Sequence, residues 1–233
     1  MLHILALETS GTSGGVAVLD DGNVLAEVRL DPAQRSAKLL APAIKRLIEQ
    51  VAWRPADVEL VAVAVGPGSF TGLRVGVTTA KTFAYAVGAE VLAVNTLEVI
   101  AAQATTAGHG ELIAAAIDAQ RGDVYTATFR RRAPLGLEIV VPVSIRRADE
   151  WIAGLSAGTL ATGPALEKLL PRLPADVAVA AGELWFPQAN MVGRLAAAKH
   201  AAGQRDDLWR LAPLYLRASA AEEKAARQGE RVI

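Results

Sequence analysis

The run VAVAVGPGSFTGLRVGV, residues 61–77, constrains the fold more than any other stretch of the chain. It ends an apolar segment, VELVAVAVG at 58–66, in a turn of three glycines, one proline and two hydroxyl residues, and then resumes as a second apolar run. A segment that is apolar on both faces belongs in a parallel strand covered from both sides. Beyond the turn, Leu73, Val77, Ala80, Ala84 and Val87 fall at helical spacing, which predicts a helix from about residue 71 to 87. Strand, tight turn and helix in that order are a unit of an α/β fold.

The flanks extend this pattern. HILALETS (3–10), GGVAVLDDG (14–22) and NVLAEVRLD (23–31) are β-branched, apolar-rich runs separated by GTS and by Asp21-Gly22, which predicts an antiparallel three-strand meander. Leu39, Leu40, Ala43, Ile44, Leu47, Ile48 and Val51 then mark a helix with Ser36 as N-cap, kinked near its start by Pro42. A short strand VLAV and a helix TLEVIAAQAT precede a turn-rich break at 105–111. After it, ELIAAAIDAQRGDVYTATF repeats the plan of the opening hairpin, so Asp118 takes the place in a second lobe that Glu8 holds in the first. A further strand at LEIVVPVSI, a helix near Asp149, the short runs TLATG and DVAVAAG, and a helix from about 188 to 200 complete that lobe. The expected division is an N-terminal lobe at 1–105, a C-terminal lobe at 106–204, and a C-terminal segment at 205–233 of helical composition that returns to the first lobe.

Hydrophobic residues make up 52% of the 233 and charged ones 21%, enough to bury a sizeable core. Lys plus Arg and Asp plus Glu are equal at 24 each, so no excess positive potential draws the chain to a polyanion unaided. With no cysteine there is no disulfide framework, thiolate nucleophile or cysteine-ligated metal. The N-terminus has no basic leader and no apolar run reaches membrane-spanning length, so a soluble, cytoplasmic protein with no membrane partner is expected.

The glycine-rich turn invites a phosphate-loop reading, which fails on spacing. The second Walker glycine would fall on Thr71 or Leu73, and Gly72 comes one place late for the dinucleotide fingerprint. GTSGG at 11–15 matches a nucleophile elbow as a string, but Ser13 lies between two strands rather than before a helix. What survives is a hairpin, Ser10, Gly11 and Thr12, which with Gly68 and Ser69 at a helix start offers amides to a phosphate; a simple tight turn is the plainer alternative. Weak nucleotide binding is compatible with this, and no cofactor is required. His3, His109 and His200 are isolated, so no metal site is expected. Asp20-Asp21, Asp206-Asp207 and the run Arg130, Arg131, Arg132 read as solvated groups.

The second helix carries only Arg74 and Lys81 as charges, and its other faces hold Val75, Gly76, Thr78, Thr79, Thr82, Phe83 and Tyr85. So little polar cover predicts burial on more than one side. Gly72, Gly76 and Ala80, four apart, allow another backbone to approach closely. The first helix is apolar over neighbouring positions too, so the pair is expected to form a partner surface. Its expected contacts are Ser36, Leu39, Leu40, Ala43 and Leu47 on one helix and Gly72, Arg74, Val75, Gly76, Thr79, Lys81 and Thr82 on the other.

ILALETS, AVAVGPGSFTGLRVGVTTAK, VNTLE, AAIDAQRGDVYTATF and PLYLR, in that order from residue 3 to about 217, resemble the bacterial TsaB (YeaZ) family of the glycoprotease superfamily. The resemblance implies an actin-like (ASKHA) α/β fold of two RNase H-like lobes. It further implies a non-catalytic scaffold in threonylcarbamoyl modification of the adenosine beside the anticodon of tRNAs reading ANN codons. Its partners would be the metal-holding paralogue TsaD and the ATPase TsaE; alone it would form a homodimer through the same helices, and it would meet tRNA only through the complex. Two features depart from the common family pattern: Arg35, Ser36 and Ala37 stand in place of an HSE-type triplet, and Glu8 stands where an aspartate is frequent. An alternative reading is an ATPase or phosphotransferase using Glu8 and Asp118 between the lobes; a peptidase would lack an activated nucleophile.

Overall fold

The computed structural model describes residues 1–33, 36–105, 111–132 and 136–217, so Arg35, His109, residues 218–233 and the side chain of Ser36 lie outside the described residues. Two five-stranded sheets share one wiring. The first contains β1 (His3–Glu8), β2 (Gly15–Asp20), β3 (Asn23–Arg29), β4 (Leu60–Gly66) and β5 (Glu90–Asn95) in the order β3-β2-β1-β4-β5. The second contains β6 (Leu112–Asp118), β7 (Asp123–Arg131), β8 (Leu137–Arg147), β9 (Leu160–Thr162) and β10 (Ala178–Val179) in the order β10-β9-β6-β7-β8. In each, the first strand is central, antiparallel to its hairpin partner and parallel to the fourth strand. The duplication read from the hairpins is therefore a property of both whole sheets. Glu8 and Asp118 end the two equivalent strands.

Local sequence explains the elements. Asp21 and Gly22 take φ of 46° and 84°, the left-handed pair that a two-residue hairpin needs between β2 and β3. Helix α1 (Ser36–Gln50) contains Pro42 on its exposed side. Helix α2 (Phe70–Val87) starts where the Ser69 hydroxyl accepts from Gly72 N at 3.2 Å and stops at Gly88, whose φ is 75°. Asn95 caps α3 (Thr96–Ala104) by accepting from Leu97 N. Helices α4 (Ala148–Ala153) and α5 (Leu166–Leu169) are short, and α6 (Ala189–Ala201) is the last. Among the described residues no helix is long and apolar enough to cross a membrane.

The period-two alternation of the strands sorts the core. Leu5, Leu7, Val16, Val18, Val61 and Val63 meet α1 and α2 on one face of the first sheet. Ile4, Ala6, Ala17, Leu19, Leu60 and Ala62 meet α6 and the Val99 side of α3 on the other. The opposite side of α3, with Leu97, Ile100 and Ala101, packs on Ile113 and Phe129 of the second sheet. A helix apolar on two opposite sides therefore sits between the two sheets and joins them, its Glu98 paired with Lys199. Two expectations are corrected. Helix α6, counted with the second lobe by its position in the chain, packs on the first sheet because Val192, Leu195 and Ala196 fill that face. The segment after α6, expected to be helical over 205–233, is an irregular strap without helix over 205–217, with a turn at 208–210; its remainder lies outside the described residues.

Candidate partner-binding face

Helix α2 turns Leu73, Gly76, Val77, Ala80 and Ala84 inward. Helical geometry then directs Arg74, Thr78, Thr82 and Tyr85 outward, and all four are exposed; Val75, Thr79 and Phe83 are half-buried at the edges. Beside it, α1 sends Leu40, Ala43, Ile44, Leu47 and Ile48 into the core. Between the two helices runs an apolar groove of about 630 Å³, lined by Ile44, Ile48, Trp53, Thr79, Thr82 and Phe83 among others.

This geometry corrects part of the expected contact set. Leu40, Ala43 and Leu47 are 1%, 7% and 1% exposed, so they support the face from beneath rather than form it. Gly76 is also buried, and the backbone that approaches α2 closely belongs to the chain itself. A Cβ at Gly68, Gly72 or Gly76 would lie 2.3 Å from Ser10 O, 2.0 Å from Thr9 O and 2.2 Å from Thr9 Oγ1 respectively. The β1–β2 hairpin rests in that row of glycines. Thr9 Oγ1 donates to Gly72 O at 2.8 Å, and Ser69 N donates to Ser10 O at 2.7 Å. Leu39, Val75, Thr79 and Thr82 remain at the surface, and α1 begins at Ser36.

Arg74 and Lys81 are exposed or half-exposed but engaged by the strap. Lys81 Nζ donates to the carbonyls of Trp209 and Leu211 at 3.0 and 3.1 Å. Arg74 Nε donates to the Tyr215 hydroxyl at 3.0 Å, with its guanidinium 3.9 Å from the Phe70 ring centroid. Leu214 N donates to Val65 O at 2.7 Å, and Asp206 Oδ2 accepts from Ala93 N at 2.8 Å. At its far end, Arg217 donates to Ala119 O and Asp123 in the second lobe. The sequence marks this segment as one that returns to the first lobe but not its course, because its residues carry no period; PLYLR is the one visible signal.

The residues named for phosphate contact surround a carboxylate instead. Glu8 Oε1 accepts from Ser10 N at 2.6 Å and from the Ser10 hydroxyl, with a further backbone bond from Gly11. Ser10 is buried, Gly68 abuts it, Ser69 caps α2, and Thr12 is exposed. Burial pushes the Glu8 carboxyl up to about 7, although its Ser10 and Gly11 bonds pull the other way. Glu8 Oε2 is buried with no hydrogen-bond partner. Asp118 differs: partial burial raises its pKa, but Lys168 Nζ at 2.5 Å and Gln120 N at 2.7 Å outweigh that and hold it below the usual carboxylate range. Glu8 thus bonds within its own hairpin, and Asp118 bonds to Lys168 and Gln120. Among the described residues no group of three or more His, Asp or Glu is placed to hold a metal ion.

Comparison with known proteins agrees with the architecture. Residues 24–169 match a family model described as TsaD: tRNA N6-adenosine threonylcarbamoyltransferase. A Bacillus subtilis protein named tRNA threonylcarbamoyladenosine biosynthesis protein TsaB is 36% identical over 152 residues, 65% of this chain and 65% of the relative's own length. The Escherichia coli protein of the same name is 29% identical over 238 aligned positions, covering 96% of this chain and 98% of that one. The structure of YeaZ from Pseudomonas aeruginosa superposes with a TM-score of 0.81 at 26% identity, over 93% of this chain and all of that one. A 2-hydroxyglutaryl-CoA dehydratase component from Acidaminococcus fermentans, at 12% identity and a TM-score of 0.50 over 87% of this chain and all of that one, shares the fold alone. The doubled sheet wiring, the glycine-seated hairpin and these matches together place the chain in the TsaB (YeaZ) family, within the wider superfamily of the TsaD threonylcarbamoyltransferases.

Proposed function

We propose that this chain is a cytoplasmic, non-catalytic scaffold subunit in threonylcarbamoyl modification of the adenosine beside the anticodon of tRNAs reading ANN codons. It pairs with a TsaD-type transferase, the assembly takes up the ATPase TsaE, and tRNA is met through the complex. In the absence of TsaD the same face pairs two copies of this chain. The observation that carries the reading is the open apolar groove between α1 and α2. A face of this kind costs solubility unless another polypeptide covers it. The named biosynthetic role of the relatives supplies the pathway.

The competing ATPase reading needs free carboxylates at the ends of β1 and β6. Glu8 is closed inside its own hairpin and Asp118 is neutralised by Lys168, which favours the scaffold.

The test is reconstitution of tRNA modification with TsaD and TsaE, with and without this chain, together with co-purification of Thr82→Arg. Thr82 is exposed at the groove, so the variant should fold normally, fail to bind TsaD and fail to restore modification. Retained binding by this variant, or turnover by the isolated chain, would overturn the proposal.

A further inference from the structure

The chain has four tryptophans. Trp151 is buried, and Trp53 and Trp185 are half-buried. Trp209 stands 72% exposed on the strap, edge-on to Tyr85 of α2, itself 68% exposed, with ring centroids 5.6 Å apart. The pair is held in place rather than dangling. Lys81 Nζ grips the Trp209 carbonyl, and Trp209 N donates to Asp207 Oδ1 at 2.7 Å. On a helix, residues three or four apart are surface neighbours, so Tyr85 adjoins Thr82 and Arg74 adjoins Thr78. The groove side of α2 therefore runs without a break into its strap side. Farther along the helix, Phe70, Arg74 and Tyr215 form a second cluster, with the Phe70 and Tyr215 rings 4.8 Å apart.

We propose that the C-terminal strap is part of the partner-binding face: the TsaD-type partner seated on the α1–α2 groove reaches across α2 and closes over Trp209 and Tyr85. The inference rests on the scaffold reading above and extends its contact set. Ordered, exposed aromatics beside satisfied polar groups are the composition of a protein interface hot spot. A single-stranded RNA would also stack on such rings, but it needs cations for its phosphates. Here Lys81 is bound to two carbonyls, Arg74 to Tyr215, Arg205 to Glu90 and Arg217 to Asp123, while Arg210, largely exposed beside Trp209, pairs loosely with Asp207 at 3.9 Å. An RNA backbone would have to break those bonds, whereas an apolar protein surface would leave them intact.

The experiment measures the affinity of the full chain for purified TsaD with Trp209→Ala, Tyr85→Ala and Thr82→Arg, each checked for an unchanged melting curve. Both aromatic variants should bind about 30-fold more weakly, the scale of a hot-spot truncation. If Thr82→Arg abolishes binding while Trp209→Ala and Tyr85→Ala bind within about twofold of wild type, the strap inference is wrong and the scaffold reading stands. If Thr82→Arg also binds normally, the scaffold reading itself falls and the inference with it. Should Trp209→Ala keep its affinity for TsaD but weaken tRNA binding by the assembled complex, the surface is an RNA contact and the proposal is overturned.

Discussion

Glu8 closes the β1–β2 hairpin as a fully buried acid whose pKa is raised by burial from 4.5 to about 7. An acid with a folded pKa above its unfolded value binds its proton more tightly when folded. Its contribution to stability is therefore complete below pH 4.5 and is lost as pH rises through about 7. Glu8→Gln keeps the acceptor for Ser10 and removes the charge. It should flatten this part of the pH profile and gain up to about 3 kcal/mol over wild type near pH 8, read by denaturant unfolding. Parallel pH profiles for the two proteins would refute the assignment. At Gly72 two effects compete. Ala gains about 1 kcal/mol of helix propensity over Gly, but its Cβ would meet Thr9 O at 2.0 Å. A backbone atom in a packed hairpin yields poorly, so Gly72→Ala should lose about 2 kcal/mol overall; a stabilised variant would show that the hairpin is not seated there. For the same reason Gly76→Glu breaks the chain's own packing and cannot report on a partner, whereas Thr82→Arg can.

Among the elements, the strap depends on α2 as much as α2 depends on the strap. Lys81→Met removes both hydrogen bonds to the Trp209 and Leu211 carbonyls while keeping an unbranched side chain. Each lost bond is worth about 1 kcal/mol. The Leu214 amide, bonded to Val65 O, should then exchange with solvent several-fold to about tenfold faster. Unchanged exchange at Leu214 would mean that the strap is held without Lys81. This element also marks the limit of what the sequence reveals. Strand β4, the glycine turn and α2 are legible because apolar period, Gly and a capping Ser coincide within a short stretch. Helical spacing also shows that Leu40, Ala43 and Leu47 share a face, but not whether that face turns toward the chain's own sheet or a partner; burial settles it as inward. Residues 205–217 have no period to read, because the bonds that tie them to the first lobe run to atoms more than a hundred positions away, as from Lys81 to Trp209. Glu8 was visible as a cleft carboxylate, yet its side chain bends back onto Ser10, a conformation that no spacing encodes.

At the scale of the whole molecule, the proposed docking face belongs to one lobe. The two sheets are wired alike, but the connections differ in length. In the first, β3 leads to β4 through the 15-residue α1, and β4 leads to β5 through the 18-residue α2. In the second, the equivalent connections contain α4 of six residues and α5 of four. The pocket beside α4 and α5 is lined largely by charged residues, Asp118, Asp123, Arg147, Lys168 and Arg172 among them, so among the described residues the long-helix apolar groove belongs to the first lobe. On the scaffold reading proposed above, that face would meet its partner mainly through apolar and uncharged side chains, on a chain whose formal net charge is zero. Coulombic steering would make association strongly salt-dependent, whereas burial of apolar surface produces a negative heat-capacity change instead. Raising salt from about 50 mM to about 500 mM should therefore change the dissociation constant for TsaD by less than about threefold. Calorimetry between about 10 and 30 °C should give a binding enthalpy that becomes more negative on warming. A tenfold or greater weakening by salt, with a flat enthalpy, would assign the recognition to charged groups elsewhere on the molecule and remove the groove from the interface.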